Sequence, residues 1–96
     1  MMTDFQERVF SECKKVPKGR VTTYGDIARK LGTSPRAVGQ ALKTNRNHAV
    51  PCHRVVKSDL TLGGYQGKEN NMEKKRMLEK EGVRFEGDRI SRGCLV

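Results

Sequence analysis

The chain has 96 residues and carries 20 Lys and Arg against 11 Asp and Glu, a formal charge of +9; this length holds one modest core and leaves no room for a second domain. No apolar run approaches the ~20 residues that span a bilayer, and Asp4, Glu7 and Arg8 stand where the apolar stretch of a signal peptide would lie, so neither a membrane-bound nor a secreted protein is expected. An excess of positive charge costs self-repulsion and predicts a polyanionic partner, nucleic acid first.

In chain order, Phe5, Val9, Phe10, Cys13 and Val16 recur near helical spacing behind Thr3-Asp4, which predicts a helix over about 4–16. Pro17-Lys18-Gly19-Arg20 is a turn and Val21-Thr22 a short β-prone segment. Thr23 caps a second helix, with Asp26 at the capping-box position and Ile27, Ala28 and Leu31 on the buried face. Gly32 stops it. Ser34-Pro35 opens a third helix that runs to about Lys43, with Val38, Ala41 and Leu42 inward. A loop over 45–52 leads to Val55-Val56, a short strand, followed by a turn over 57–61 and a glycine-rich loop, Gly63-Gly64-Tyr65-Gln66-Gly67. Met72 to Glu81 reads as a last helix, stopped by Gly82, and Glu86-Gly87-Asp88 as the tip of a small hairpin. The expected fold is mainly α with short β segments: one small helix-turn-helix, winged-helix-like, DNA-binding domain over 1–96, with the helix-turn-helix at about 23–43.

The third helix turns Arg36, Gln40 and Lys43 outward, with Gly39 beside them at i+3 from Arg36. Such side chains meet phosphates and base edges. Ala37 and Gly39 are small for an exposed face, and small residues admit a close partner, as a minor groove about 6 Å wide demands. The basic run Lys74-Lys75-Arg76 reads as a solvated face.

Cys52-His53 sets a thiol beside an imidazole within Pro51-Cys52-His53-Arg54. A thiol becomes a strong nucleophile as a thiolate. A neutral His can take its proton, directly or through a water, and a carboxylate on the far ring nitrogen would fix the tautomer. Asp26, Asp59, Glu69, Glu73, Glu79 and Glu81 are all candidates, and spacing does not choose among them. The plainer reading of the dipeptide is a buried Cys beside a solvent-facing His. Cys13, Cys52 and Cys94 cannot all pair, and no CxxC spacing exists, so no metal site is expected. Reduced thiols point to the cytoplasm, or to a nucleus in a eukaryote. Cys13 reads as core, Cys94 has no assigned role, and His48 is a weak phosphate contact.

Taken in order, residues 17–28, Arg36-Ala37-Val38-Gly39-Gln40-Ala41-Leu42, Asn45, Pro51-Cys52-His53-Arg54-Val55-Val56, Gly63-Gly64-Tyr65 and Glu81-Gly82 resemble the C-terminal domain of the O6-alkylguanine-DNA alkyltransferases. The resemblance implies that Cys52 accepts the alkyl group, that His53 is the base acting through a water, that Glu81 orients it, and that Asn45 braces the turn ahead of the active-site segment 51–56. It implies that Tyr24 crowds a phosphate and meets the guanine N3 edge, that Arg36 fills the gap left by an extruded base, and that Val55, Tyr65 and Gln66 join Tyr24 in lining the pocket. The carbonyls of Cys52 and Val55 would accept from the guanine amino group. The partner it implies is double-stranded DNA carrying O6-alkylguanine, bound through the minor groove by a monomer without a cofactor. Gln66-Gly67-Lys68 departs from the family's common Ser-Gly-Gly, which bears on substrate range. A related group, the alkyltransferase-like proteins, is built from this one domain, binds such lesions without transfer, recruiting another repair pathway, and usually has Trp or another residue at the cysteine; Cys52 argues against membership in it, while the single-domain length argues for it.

Overall fold

The structure is a computed structural model that describes residues 3–45, 49–62 and 72–96. The expectations for His48, for Glu69 and for the pocket residues Tyr65 and Gln66 lie outside the described residues.

Helix α1 spans Asp4–Lys14 and starts on a capping box, in which the Thr3 hydroxyl accepts from Gln6 N–H and the Gln6 side chain accepts from Thr3 N–H. It ends two residues short of the expected 16. Pro17 disfavours helical backbone at Val16, and the chain tightens into bonds from Lys15 N to Glu12 O and from Val16 N to Cys13 O. Strand β1, Thr22–Thr23, feeds directly into helix α2, Tyr24–Leu31, because Thr23 is also its N-cap and accepts from Asp26 N–H. Gly32 closes α2 in the left-handed region at φ 68°. Helix α3, Pro35–Lys43, begins with Ser34 as N-cap and Pro35 in the first turn, as expected. The pair α2–α3 packs beneath α1 and is the helix-turn-helix.

Strand β2, Val55–Val56, pairs in parallel with β1, Thr22 opposite Val55 and Thr23 opposite Val56. This ladder divides two cores. Val55 faces the first, with Val9, Phe10, Cys13, Ile27, Val38, Leu42 and Cys52. Val56 faces the second, with Val21, Leu60, Leu62, Leu78, Val83, Ile90 and Cys94. Adjacent strand residues point to opposite sides, so two valines serve two cores.

Helix α4, Met72–Lys80, is one residue shorter than expected and leaves Glu81 in the turn before Gly82, whose φ is 96°. Strands β3, Phe85–Glu86, and β4, Arg89–Ile90, form the expected antiparallel hairpin. Gly87, at φ 66°, holds the first of its two turn positions, where a type II′ turn requires glycine. The chain then returns along β1, with Val21 N–H donating to Cys94 O and Val96 N–H to Val21 O. Among the described residues, no helix is long and apolar enough to cross a membrane, and no group of three His, Cys, Asp or Glu is placed to hold a metal.

In the run Lys74-Lys75-Arg76, expected to be a solvated face, Arg76 is exposed and Lys75 half-buried, but Lys74 departs from that reading. Lys74 is fully buried, donating to the carbonyls of Val55 at 2.7 Å and Leu62 at 2.5 Å. The ammonium satisfies two carbonyls at the end of β2 and in the following segment, and this offsets part of the cost of burying its charge.

Candidate active site and nucleic-acid interface

Pro51 supplies the bend that sets Cys52 in place. Its φ of −80° and ψ of 63°, with Cys52 N–H donating to Val50 O at 2.8 Å, form an inverse γ-turn, for which the proline ring fixes φ in advance. Cys52–Arg54 then form one 3-10 turn, closed by the bond from Arg54 N to Pro51 O. Asn45, also buried, donates from Nδ2 to Val50 O at 3.3 Å and so ties the end of α3 to the residue before the bend.

Cys52 and His53 are both buried, at 7% and 6% exposure; the plainer expectation of a solvent-facing histidine fails. Of the candidate carboxylates, Glu81 meets the imidazole, with Oε2 3.0 Å from His53 Nε2. Asp26 instead pairs with Arg29 and Lys30, and Asp59 accepts from Thr61 in the turn after β2. Glu81 held against Nε2 keeps the proton there, so Nδ1 carries the ring's lone pair. Burial lowers the His53 pKa below its ordinary 6.5, opposed by Glu81 and assisted by the charges of Arg54 and Lys74. The ring is therefore neutral at pH 7, the state a proton acceptor needs. For Glu81 burial works upward, but hydrogen bonds from Arg54 and His53 prevail and hold its pKa below the usual carboxylate range.

Arg54 is a contact that the motif alone did not reveal. Its Nε donates to Glu81 Oε1 at 3.0 Å, its Nη2 to Glu81 Oε2 at 2.7 Å, and its Nη1 to Val16 O at 2.9 Å. Gly19 packs its backbone on the same spot: at φ 87°, its Cβ would lie 3.1 Å from Glu81 O. Both the left-handed backbone and the close approach call for glycine.

Lys74 was also missed. It lies four residues before buried Leu78 and seven before Glu81, which is one helix face, and that spacing was the available signal. Its Nζ is 3.4 Å from Tyr24 Oη and 5.6 Å from the centre of that ring. Burial drops the Lys74 pKa from 10.5 to about 8 and pushes the Tyr24 phenol up to about 12. Tyr24, at the head of α2, and Val55, in β2, thus meet at Lys74, two of the four expected pocket residues brought together. The carbonyl of Val55 accepts from Lys74, and that of Cys52 from Val55 N–H; each oxygen has a second lone pair for a ligand. Cys13 is core, as expected, with its thiol pushed up to about 12 by burial. Cys94 is core too, its Sγ 3.5 Å from Arg84 N.

On α3, Arg36, Gln40 and Lys43 are exposed as expected, whereas Ala37 and Gly39 are half-buried rather than fully exposed. Gly39 has helical backbone, and apart from its chain neighbours and the helix's own backbone no described atom lies within 4 Å of where its Cβ would stand. Packing among the described residues therefore does not ask for glycine there.

Comparison with known proteins places this geometry among its relatives. The family described as "6-O-methylguanine DNA methyltransferase, DNA binding domain" matches residues 4–83. The methylated-DNA–protein-cysteine methyltransferase of Methanothermobacter thermautotrophicus is 45% identical over 86 residues, covering 88% of this chain and 48% of that protein. The crystal structure of O6-methylguanine-DNA methyltransferase from Pyrococcus kodakaraensis KOD1 superposes with a TM-score of 0.75 at 49% identity, covering 85% of this chain and 48% of that one. The S. pombe ATL in complex with DNA gives a TM-score of 0.77 at 33% identity and covers 98% of this chain and 94% of that one. The chain spans about half the length of the curated methyltransferases it matches.

Proposed function

We propose that this chain, which belongs to the family of 6-O-methylguanine DNA methyltransferase DNA-binding domains, repairs O6-alkylguanine in duplex DNA by taking the alkyl group onto Cys52. The observation that carries this reading is the part-buried chain of contacts beginning beside the thiol, His53 to Glu81 to Arg54. In the reaction, His53 Nδ1 accepts the Cys52 proton through a bridging water. The sulfur then attacks the alkyl carbon, the carbon–O6 bond breaks, and its electron pair leaves with guanine, which takes up a proton. The product is a thioether with no bond labile to water, so each molecule acts once. The alkyl group comes from the DNA, and no cofactor is needed.

A base inside a duplex is out of reach, and extruding it costs a few kcal/mol. The exposed face of α3 supplies the offset: Gln40 and Lys43 meet the backbone, and Arg36 enters the stack in place of the extruded guanine. Tyr24 and Val55, with Tyr65 and Gln66, line the pocket. The whole of 1–96 acts as one domain, a monomer on the minor groove.

A second reading has a specific observation behind it, since the chain matches the S. pombe ATL over nearly the full length of both. In that reading the protein binds the lesion without transfer. Incubation with an O6-methylguanine duplex, followed by peptide mass analysis, separates the two. A methyl group on the Cys52 peptide, absent in Cys52→Ala, is the expected result. Tight lesion-selective binding with no change in mass would favour the second reading and overturn the first.

Close approach of α3 to DNA has its own test. Glycine inside a helix costs about 0.5–1 kcal/mol relative to alanine, and Gly39 is open to a methyl group. Gly39→Ala is therefore expected to raise the unfolding free energy by about that amount while weakening duplex binding. Unchanged affinity in a fluorescence titration would argue against a groove pressed onto this helix.

A further inference from the structure

We infer that Arg54 is a positioning residue for the transfer reaction, acting on His53 through Glu81. This inference rests on the transfer reading above. A glutamate at the end of a helix has free side-chain torsions, and the Glu81 side chain retains 14% exposure, enough for a carboxylate to swing toward water. Arg54 removes that freedom. Its fork takes both Glu81 oxygens, at 3.0 and 2.7 Å, the planar match that makes arginine–carboxylate pairs directional. The third guanidinium nitrogen is fixed in turn, at 2.9 Å from Val16 O, so the clamp itself is anchored to the turn that carries Gly19.

The contacts close on themselves. His53 and Arg54 are neighbours in one 3-10 turn, and both side chains reach Glu81 Oε2, His53 at 3.0 Å and Arg54 at 2.7 Å. The backbone that presents the base therefore also presents the group that holds the base's partner. Imidazole orientation follows from that ring of contacts.

Arg54 also bears on protonation. Among the described residues, the charges that act on the imidazole include those of Glu81 and Lys74, from the α4 side, and of Arg54 from its own turn. From α1, the first core brings buried Cys13 to the Cys52 side of the turn. Glu81 draws a proton onto His53, whereas Arg54 and Lys74 oppose it. Loss of Arg54 leaves Glu81 less compensated and the imidazole easier to protonate. A protonated His53 cannot accept the thiol proton, so the acid limb of the pH–rate profile moves to higher pH.

The test compares the parent protein with Arg54→Met and Arg54→Lys. Transfer from free O6-benzylguanine, measured across pH, avoids any dependence on DNA binding. An NMR titration of the His53 ring, assigned with His53→Gln, reads the imidazole without requiring turnover. Arg54→Met is expected to lower the plateau rate by about tenfold to a hundredfold, part of what a general base contributes, and to shift both the acid limb and the NMR midpoint upward. Arg54→Lys keeps the charge and loses the fork, so its limb stays near the parent's while its plateau falls. A purely structural role would lower the active fraction without moving either midpoint. Unmoved midpoints in Arg54→Met, or a parental plateau in Arg54→Lys, overturn the inference; the Lys variant decides alone if Arg54→Met does not fold. A parent protein that leaves Cys52 unmodified sinks the transfer reading instead, and the NMR midpoints then decide whether Arg54 sets the state of the ring.

Discussion

A His53→Gln variant is expected to fold, to bind lesion-bearing duplex like the parent, and to transfer the alkyl group about 10²–10⁴-fold more slowly. Glutamine is close to histidine in size, and its amide N–H can donate to Glu81 where His53 Nε2 lies 3.0 Å from Oε2. The Arg54–Glu81 pair thus keeps its surroundings, and Glu81 Oε2 keeps a second donor beside Arg54. What the amide cannot do is accept a proton. Single-turnover rates on an O6-methylguanine duplex measure the loss. The rate of the variant should climb steeply with pH, because hydroxide then ionises the thiol without help. A parental rate at neutral pH would remove His53 from the mechanism.

Leu78→Ala is expected to cost about 2–5 kcal/mol of folding stability, with a fall in melting temperature on the order of 10–30 °C. A chain of this length has about 5–15 kcal/mol in all, so a large share is at stake. Leu78 is completely buried in the second core with Val21, Val56, Val83 and Ile90. It is an apolar residue by which α4 packs beside the β1–β2 ladder, to which Lys74 also donates, and the helix hands Glu81 to His53 just beyond it. Transfer should survive at low temperature and fade well below the parent's limit as α4 loosens. Urea unfolding measures the first effect and rates against temperature the second. A loss below about 1 kcal/mol would mean that the site collapses to fill the space.

Much of the fold was legible because it is written in local chemistry. Thr3, Thr23 and Ser34 each accept from the backbone N–H three residues on, as their positions before apolar periodicity imply. Gly32 and Gly82 take the left-handed backbone that a helix end favours. Helix α1 was read too long because apolar spacing continues to Val16, whereas the constraint from Pro17 acts on backbone angles and leaves no trace in that spacing. At the site, the family resemblance implies Glu81 where spacing leaves several carboxylates open, and Glu81 Oε2 lies 3.0 Å from His53 Nε2. The resemblance did not point to Lys74 or Arg54. A lysine flanked by charged residues looks solvated, and its burial depends on two carbonyls from segments distant in sequence. Arg54 reads as one more cation in a basic chain until Val16 and Glu81 are seen around it.

The parallel pairing of Thr22 with Val55 also bears on the order of events during folding. Bringing two segments about thirty residues apart into register costs on the order of 3 kcal/mol in loop entropy, unless something shortens the loop first. Helices α2 and α3 lie within that interval and pack on each other through local contacts, which form early. The hairpin of helices is therefore expected to form first and to give the bend at Pro51 a platform to dock onto, with Glu81, farther along the chain, joining later. Cys52 packs with Val9, Ile27, Val38 and Leu42 in the first core, so docking of the bend, before Glu81 joins, is expected to enclose its sulfur.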